Sequence, residues 1–194
     1  MNLGEPSCDA VLAGRAAEGD ERAFADLVRR HQEPLYRLLR RHTGNADEAY
    51  EAVHEAFIAA WMALRRYDPK RPFAAWLRTI AINKARDRGR RMAVRRLLFG
   101  GRGLEESGAL AMSDPATPAD ERVVERQETA RLDRAVARLP AALKEPLLLT
   151  AFEGWSQREA GEIMGVSAKT IETRVRRARK ILARVLEPAP QPGS

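Results

Sequence analysis

The residues in this chain best suited to chemistry are cations, and they fall into two groups at helical spacing. One group lies near the C-terminus, where Lys169, Glu172, Thr173, Arg176, Arg177 and Lys180 recur every three to four positions along one helical face. Arginine can form paired hydrogen bonds with a guanine edge, and glutamate can accept from a cytosine amino group. A helix carrying both is suited to a major groove with G/C content. The second group is Arg78, Asn83, Lys84, Arg86, Arg88, Arg90 and Arg91, just after Phe73 and Trp76. Cations and an amide beside an aromatic-bearing loop suit the phosphates and unstacked bases of a single strand. The plainer alternative is a pair of solvated basic faces over ordinary aromatic core residues. For Trp76 the core reading is preferred.

The C-terminal group needs a rigid presenter, and the sequence supplies one. Ser156 with Glu159 forms a capping-box pattern, Ala160, Ile163 and Met164 give a short helix an apolar face, and Gly165 ends it. Ser167 then caps a second helix whose inward stripe is Ile171, Val175, Ala178 and Leu182. Two short helices joined by a tight glycine turn, the second basic outside, make a helix-turn-helix.

Charge along the chain is segregated. From Lys70 to Arg102 there are 11 Lys or Arg against Asp87 alone, and from Leu104 to Glu128 seven acids against Arg122 and Arg126. Ala168 to Leu186 is basic again, within a chain of 194 residues and net charge +7. Two basic modules flanking an acidic strip favour a polyanionic partner. The single cysteine, Cys8, excludes an intrachain disulfide and fits a reducing cytoplasm. His31, His42 and His54 show no metal-ligand spacing with it, so no metal and no cofactor are expected. The carboxylates and histidines form no catalytic set, and no glycine loop cradles phosphate, so no catalytic residue is assigned and the chain is not expected to be an enzyme. No apolar run is long enough for membrane insertion, and no signal peptide opens the chain.

The periodicity is helical throughout, which predicts an all-α fold. A short helix is expected over 10–17, then a long one after Asp20 with its buried face at Phe24, Leu27, Val28, His31, Leu35, Leu38 and Leu39. Pro34 should kink or divide it. Further helices are expected from about 45 to 67, 73 to 91, 118 to 139 and 141 to 152, with a local conflict at Pro146. Gly100, Gly101, Gly103, Gly108, Pro115 and Pro118 break the pattern, so residues 98–118 read as a flexible linker. Residues 187–194, with three prolines, read as a disordered tail.

Several ordered motifs then resemble one family, the extracytoplasmic-function (ECF) group of sigma-70-type transcription initiation factors, over about residues 8–186. Glu51-Ala52-Val53-His54-Glu55-Ala56-Phe57 resembles the acidic stretch of its region 2. Phe73, Trp76, Leu77, Asn83 and Asp87 match a Phe-x-x-Trp-Leu segment with a downstream Asn-x-x-x-Asp. Leu139-Pro140, Leu147-Leu148-Leu149 and Glu153-Gly154 match the opening of region 4.

The resemblance implies two small helical domains, region 2 over 8–97 and region 4 over 119–186. It implies promoter DNA, core RNA polymerase (clamp and flap) and an anti-sigma factor as partners, in the cytoplasm. The polymerase clamp would meet Glu51, His54, Glu55 and Phe57. The −10 strand would meet Lys70, Arg71, Arg78, Asn83, Lys84, Asp87 and Arg88. The −35 element would meet Lys169, Thr170, Glu172, Thr173, Arg174, Arg176 and Arg177. There are two departures from the family pattern: Glu51-Ala52-Val53-His54-Glu55 replaces a common Asp-Leu-Val-Gln-Glu, and Glu172 stands where a cation is frequent. The rival readings are a stand-alone helix-turn-helix regulator, which would need a ligand pocket or dimer surface in the first half, and a sigma-like decoy that binds an anti-sigma factor.

Overall fold

The computed structural model describes residues 8–99 and 119–186, and every regular element among them is helical. The first bundle comprises α1 (Cys8–Ala17), α2 (Glu21–Thr43), α3 (Ala46–Ala63) with a closing 3-10 turn (Leu64–Arg66), and α4 (Phe73–Phe99). The second comprises α5 (Ala119–Ala137), α6 (Ala141–Leu147), a π turn (Leu148–Phe152), α7 (Gln157–Met164) and α8 (Ala168–Leu186). The all-α fold expected from periodicity and the two helical domains that the resemblance implies are observed. The linker expected over 98–118 starts two residues later, because Leu98 and Phe99 still belong to α4; its remainder, 100–118, and the expected tail lie outside the described residues.

Helix α2 starts where Asp20 accepts from the Ala23 amide at 3.0 Å, and ends at Gly44, whose φ of 76° is left-handed. Pro34 neither divides it nor ends it. An interior proline costs about 3 kcal/mol. Leu27, Leu35, Leu38 and Leu39 on the same helix are almost wholly buried, each burial being worth about 1.5–3 kcal/mol, so packing outweighs the missing bond.

Helix α3, capped by Asn45, stops at Ala63 rather than near Tyr67. The Tyr67 hydroxyl donates to the Arg71 carbonyl at 2.6 Å and so fixes the loop that follows. Tyr67, Phe73 and Trp76 stack mutually, with ring centroids 5.2–5.6 Å apart, and Phe73 is fully buried. Trp76 is thus core-facing, as expected. Helix α4 continues past Arg91 to Phe99, because 92–99 holds neither proline nor glycine and the first strong breaker is Gly100.

In the second bundle Pro146 leaves α6 regular only to Leu147. The chain then widens into the π turn, where the Thr150 hydroxyl donates to the Pro146 carbonyl at 2.8 Å. Leu147, Leu148 and Leu149 are buried there against Ile163, Ile171, Val175, Ala178 and Leu182. The two bundles pack on one another, α2 against α5 and α4 against α7.

Candidate nucleic-acid and polymerase interfaces

The helix-turn-helix is built by local chemistry. Ser156 Oγ accepts from the Glu159 amide at 3.2 Å, and Glu159 Oε2 accepts from the Ser156 amide at 2.9 Å, completing the capping box. The Ser156 hydroxyl also donates to Glu159 Oε2 at 2.6 Å, and this bond, followed by the one from the Ser156 amide, holds the Glu159 carboxyl below the usual range. Gly165, at φ 69°, closes the helix by donating to the Gly161 carbonyl. Ser167 Oγ accepts from the Thr170 amide at 3.2 Å and starts α8. Ile171, Val175, Ala178 and Leu182 are the buried stripe of α8, as expected.

The opposite face of α8 is presented outward. Lys169, Arg176 and Arg177 are exposed, and Glu172, Thr173 and Arg174 are half-buried. Lys169 Nζ donates to Glu172 Oε2 at 2.9 Å, which keeps that carboxyl low and ionised. Thr173 Oγ1 donates back to the Lys169 carbonyl, and Thr170 Oγ1 meets Ser167 Oγ at 2.9 Å. Among the described residues no hydrogen bond or ion pair engages the side chains of Arg174, Arg176 or Arg177. Three guanidinium groups are therefore available to an external acceptor, and the Glu172 carboxylate stands among them already ordered.

The first-domain cations divide differently. Lys70 and Arg71 lie exposed on the loop, Asn83 is exposed on α4, and Lys84 is half-buried beside it. Asp87 is ion-paired with Arg90. Arg88 is turned toward α3, where it pairs with Glu51 and, at 3.2 Å, with Glu55. Arg78 is 7 % exposed and bound to Glu153 of the second bundle, its Nε donating at 2.8 Å, with its guanidinium 5.3 Å from the Trp155 ring centroid. Of the residues expected to meet the −10 strand, Lys70, Arg71, Asn83 and Lys84 hold no carboxylate among the described residues, whereas Arg78 and Arg88 already do.

On α3, Phe57 is buried and packs edge-on against Phe24 at 6.4 Å. His54 is exposed, while Glu51 and Glu55 lean toward Arg88. Sequence reasoning missed the apolar part of this face. Tyr50 (71 % exposed), Met62 (81 %), Ile58 and Trp61 stand out on the α3 surface. Tyr50, Ile58 and Trp61, with His54, line a groove of about 510 Å³ against α2. Four large apolar side chains on one outer helix face, at spacings of three, four and eight, were visible as a second stripe opposite Ala49, Ala52, Ala56 and Ala60.

Comparison with known proteins agrees with this architecture. Residues 27–95 match the Sigma-70 region 2 family model, and residues 129–182 match the Sigma-70, region 4 model. The RNA polymerase sigma factor CnrH of Cupriavidus metallidurans is 39 % identical over 182 residues, spanning 92 % of this chain and 94 % of the relative. The ECF RNA polymerase sigma factor SigW of Bacillus subtilis is 31 % identical, spanning 87 % and 91 %. The solved structure of CnrH in complex with the cytosolic domain of CnrY matches with a TM-score of 0.68 and 34 % identity, over 93 % of this chain and 98 % of that one. The chain belongs to the sigma-70-type RNA polymerase sigma factors, in their ECF group. It is a transcription initiation factor.

Proposed function

We propose that the chain directs core RNA polymerase to promoters through two DNA-reading ends, divided as residues 8–97 and 119–186, with 98–118 as a connecting linker and 187–194 as a tail. The observation that carries this reading is the outer face of α8, where, among the described residues, Arg174, Arg176 and Arg177 make no hydrogen bond or ion pair and Glu172 is held by Lys169. Arg176, Arg177, Glu172 and Thr173 read −35 base edges, while Lys169, Thr170 and Arg174 sit nearer phosphates, which position the helix without specifying sequence. Lys70, Arg71, Asn83 and Lys84 hold the opened −10 strand, and Arg78, Asp87 and Arg88 act at its margins. Polymerase docks on the outer face of α3, through His54 with Glu51, Glu55 and the packing set by Phe57. The exposed Tyr50, Ile58, Trp61 and Met62 supply the apolar contact area that acids alone would lack.

The chain works by binding, without catalysis of its own, and acts in the cytoplasm. No helix among the described residues is long and apolar enough to cross a membrane. An anti-sigma factor is a fitting regulator, since the related CnrH was solved with the cytosolic domain of CnrY. The deciding experiment is transcription by the purified protein with core polymerase on promoter DNA from its own genome. Specific initiation is expected. Promoter binding that is equally tight without core enzyme, and no association with core enzyme, would show a stand-alone regulator instead.

A further inference from the structure

Helix α1 lies ahead of residue 27, where the region 2 match begins. It packs on α2, on the 3-10 turn and on α4, burying Ala10, Leu12, Ala13 and Ala16. Asp9 is the acid of its first turn, and α2 takes both oxygens of that carboxylate. Arg30 Nη1 donates to Oδ1 at 3.0 Å, and His31 Nε2 lies 2.8 Å from Oδ2. A carboxylate only accepts, so Nε2 is the ring nitrogen that carries the proton. The His31 and Asp9 side chains are 13 % and 24 % exposed, which shields the pair from the screening that weakens surface pairs.

The same imidazole meets the aromatic cluster. The His31 ring centroid is 5.3 Å from that of Phe73, with the planes tilted by 49°. Phe73, the first residue of α4, meets Tyr67, whose hydroxyl donates to the Arg71 carbonyl. Burial pushes the Tyr67 hydroxyl up, and the carboxylates of Asp9 and Asp68 push it further, so it stays a donor. A continuous series of contacts therefore runs from Asp9 through His31, Phe73 and Tyr67 to Arg71.

That series ends on the loop that carries Lys70 and Arg71, both exposed. Within the loop, the Lys70 amide donates to Asp68 Oδ1 at 2.9 Å and the Arg71 amide to the Asp68 carbonyl at 3.0 Å. Two turn bonds among exposed residues oppose the backbone freedom of the loop only weakly. Asp9 stands close enough to act on the Tyr67 hydroxyl, and its charge there opposes a phosphate-bearing strand. What it contributes is what it holds.

We infer that Asp9 and His31 are positioning residues for the −10 strand: the pair braces Phe73 and Tyr67, and through them holds residues 67–72 in the arrangement that presents Lys70 and Arg71. Helix α1 thus takes part in strand capture through its first turn, with no residue of its own on DNA. The consequence for capture rests on the function proposed above, whereas the ordering of the loop does not.

The test uses the full chain. Exchange of the Lys70 and Arg71 amides with water, read by NMR, reports on the loop. Anisotropy of a fluorescein-labelled single-stranded 20-mer of mixed sequence reports on capture. In Asp9→Ala both amides are expected to exchange several-fold faster, with the amides of α2, helix content and affinity for core polymerase unchanged. Affinity for the 20-mer falls about fivefold if the unbraced loop keeps its binding arrangement a fifth of the time. Charge alone predicts the opposite sign, because the variant is one unit more positive and a strand is an anion. Asp9→Asn keeps an acceptor for His31 Nε2, and it restores both readouts to near the wild-type values.

Unchanged exchange of the two amides in Asp9→Ala overturns the brace, and so does an Asp9→Asn variant as impaired as Asp9→Ala. Should Asp9→Ala lose helix by circular dichroism, His31→Leu gives the same reading, since it keeps apolar bulk against Phe73 and lacks the bond to Asp9. Lys70→Ala/Arg71→Ala separates the brace from the −10 role of the loop. If that variant weakens binding to the 20-mer and Asp9→Ala tightens it, the positioning role falls. If that variant binds as the wild type does while Asp9→Ala frees the loop amides, the −10 role falls and the brace stands.

Discussion

A Cβ placed on Gly161 would lie 2.6 Å from the carbonyl oxygen of Val166. The helix-turn-helix is tight because its first helix offers no side chain where the turn crosses it. The acceptor is backbone, which cannot rotate aside, so Gly161→Ala must displace the turn. It is expected to destabilise the protein by about 1–3 kcal/mol, as overpacking does, despite alanine's better helix propensity. Thermal unfolding checks this; a variant as stable as the wild type would show that the turn yields without cost.

Among the described residues Arg176 and Arg177 make no hydrogen bond or ion pair, so removing either should leave stability nearly unchanged. Arg176→Ala or Arg177→Ala should weaken binding to the cognate −35 duplex by about 1–3 kcal/mol for each base edge the guanidinium reads. Fluorescence anisotropy on cognate and scrambled duplexes separates base reading from phosphate binding. Equal weakening on both sequences would assign the arginine to the backbone.

The apolar side chains on α3 predict a different defect. Met62→Ser and Tyr50→Ser touch little of the core, and the melting temperature should stay close to that of the wild type. Affinity for core polymerase should fall several-fold, since truncating a large side chain at an interface commonly costs more than about 1 kcal/mol. Co-sedimentation with core enzyme measures it, and unaltered binding would place the docking surface elsewhere.

Glu145, on α6, gives stability a pH dependence with a definite sign. Its side chain is almost wholly buried, Arg86 Nε on α4 donates to its two oxygens at 2.8 and 2.9 Å, and His42 Nε2 on α2 lies 3.3 Å from Oε1. Burial pushes the carboxyl up, but the bonds from His42 and Arg86 prevail and hold it below the usual range. The ionised group therefore contributes stability above the ordinary glutamate range, and that contribution is lost as pH falls through the lowered value. Thermal unfolding followed against pH should show Glu145→Gln with a flatter acid limb than the wild type; an identical limb would assign the acid loss to other groups.

The helices and their inward stripes were largely readable because burial repeats at the helical period, and because caps such as Asp20, Ser156, Gly44 and Gly165 mark the ends with local chemistry. The outward-facing cations of α8 were readable for the same reason. Three readings needed tertiary structure. Pro34 looked like a break, but the leucines around it are held by neighbours no local window contains. Arg78 and Arg88 looked like free cations, yet their partners lie 75 and 33–37 positions away. Glu145 left one trace in the sequence, a Lys-Glu pair inside the apolar run Leu143-Lys144-Glu145-Pro146-Leu147-Leu148-Leu149, which only a charged interface explains.

Arg88 joins Glu51 and Glu55 on α3 to the helix that bears Asn83 and Lys84. The face proposed for polymerase and the face proposed for the −10 strand consequently share a hinge-pin of charge. Substituting Glu51 or Glu55 leaves Arg88 on α4 with one carboxylate instead of two, and substituting Arg88 leaves both carboxylates on α3 without that cation. Phenotypes mapped to one surface will carry a component from the other, and only paired substitutions can tell enzyme recruitment from strand capture.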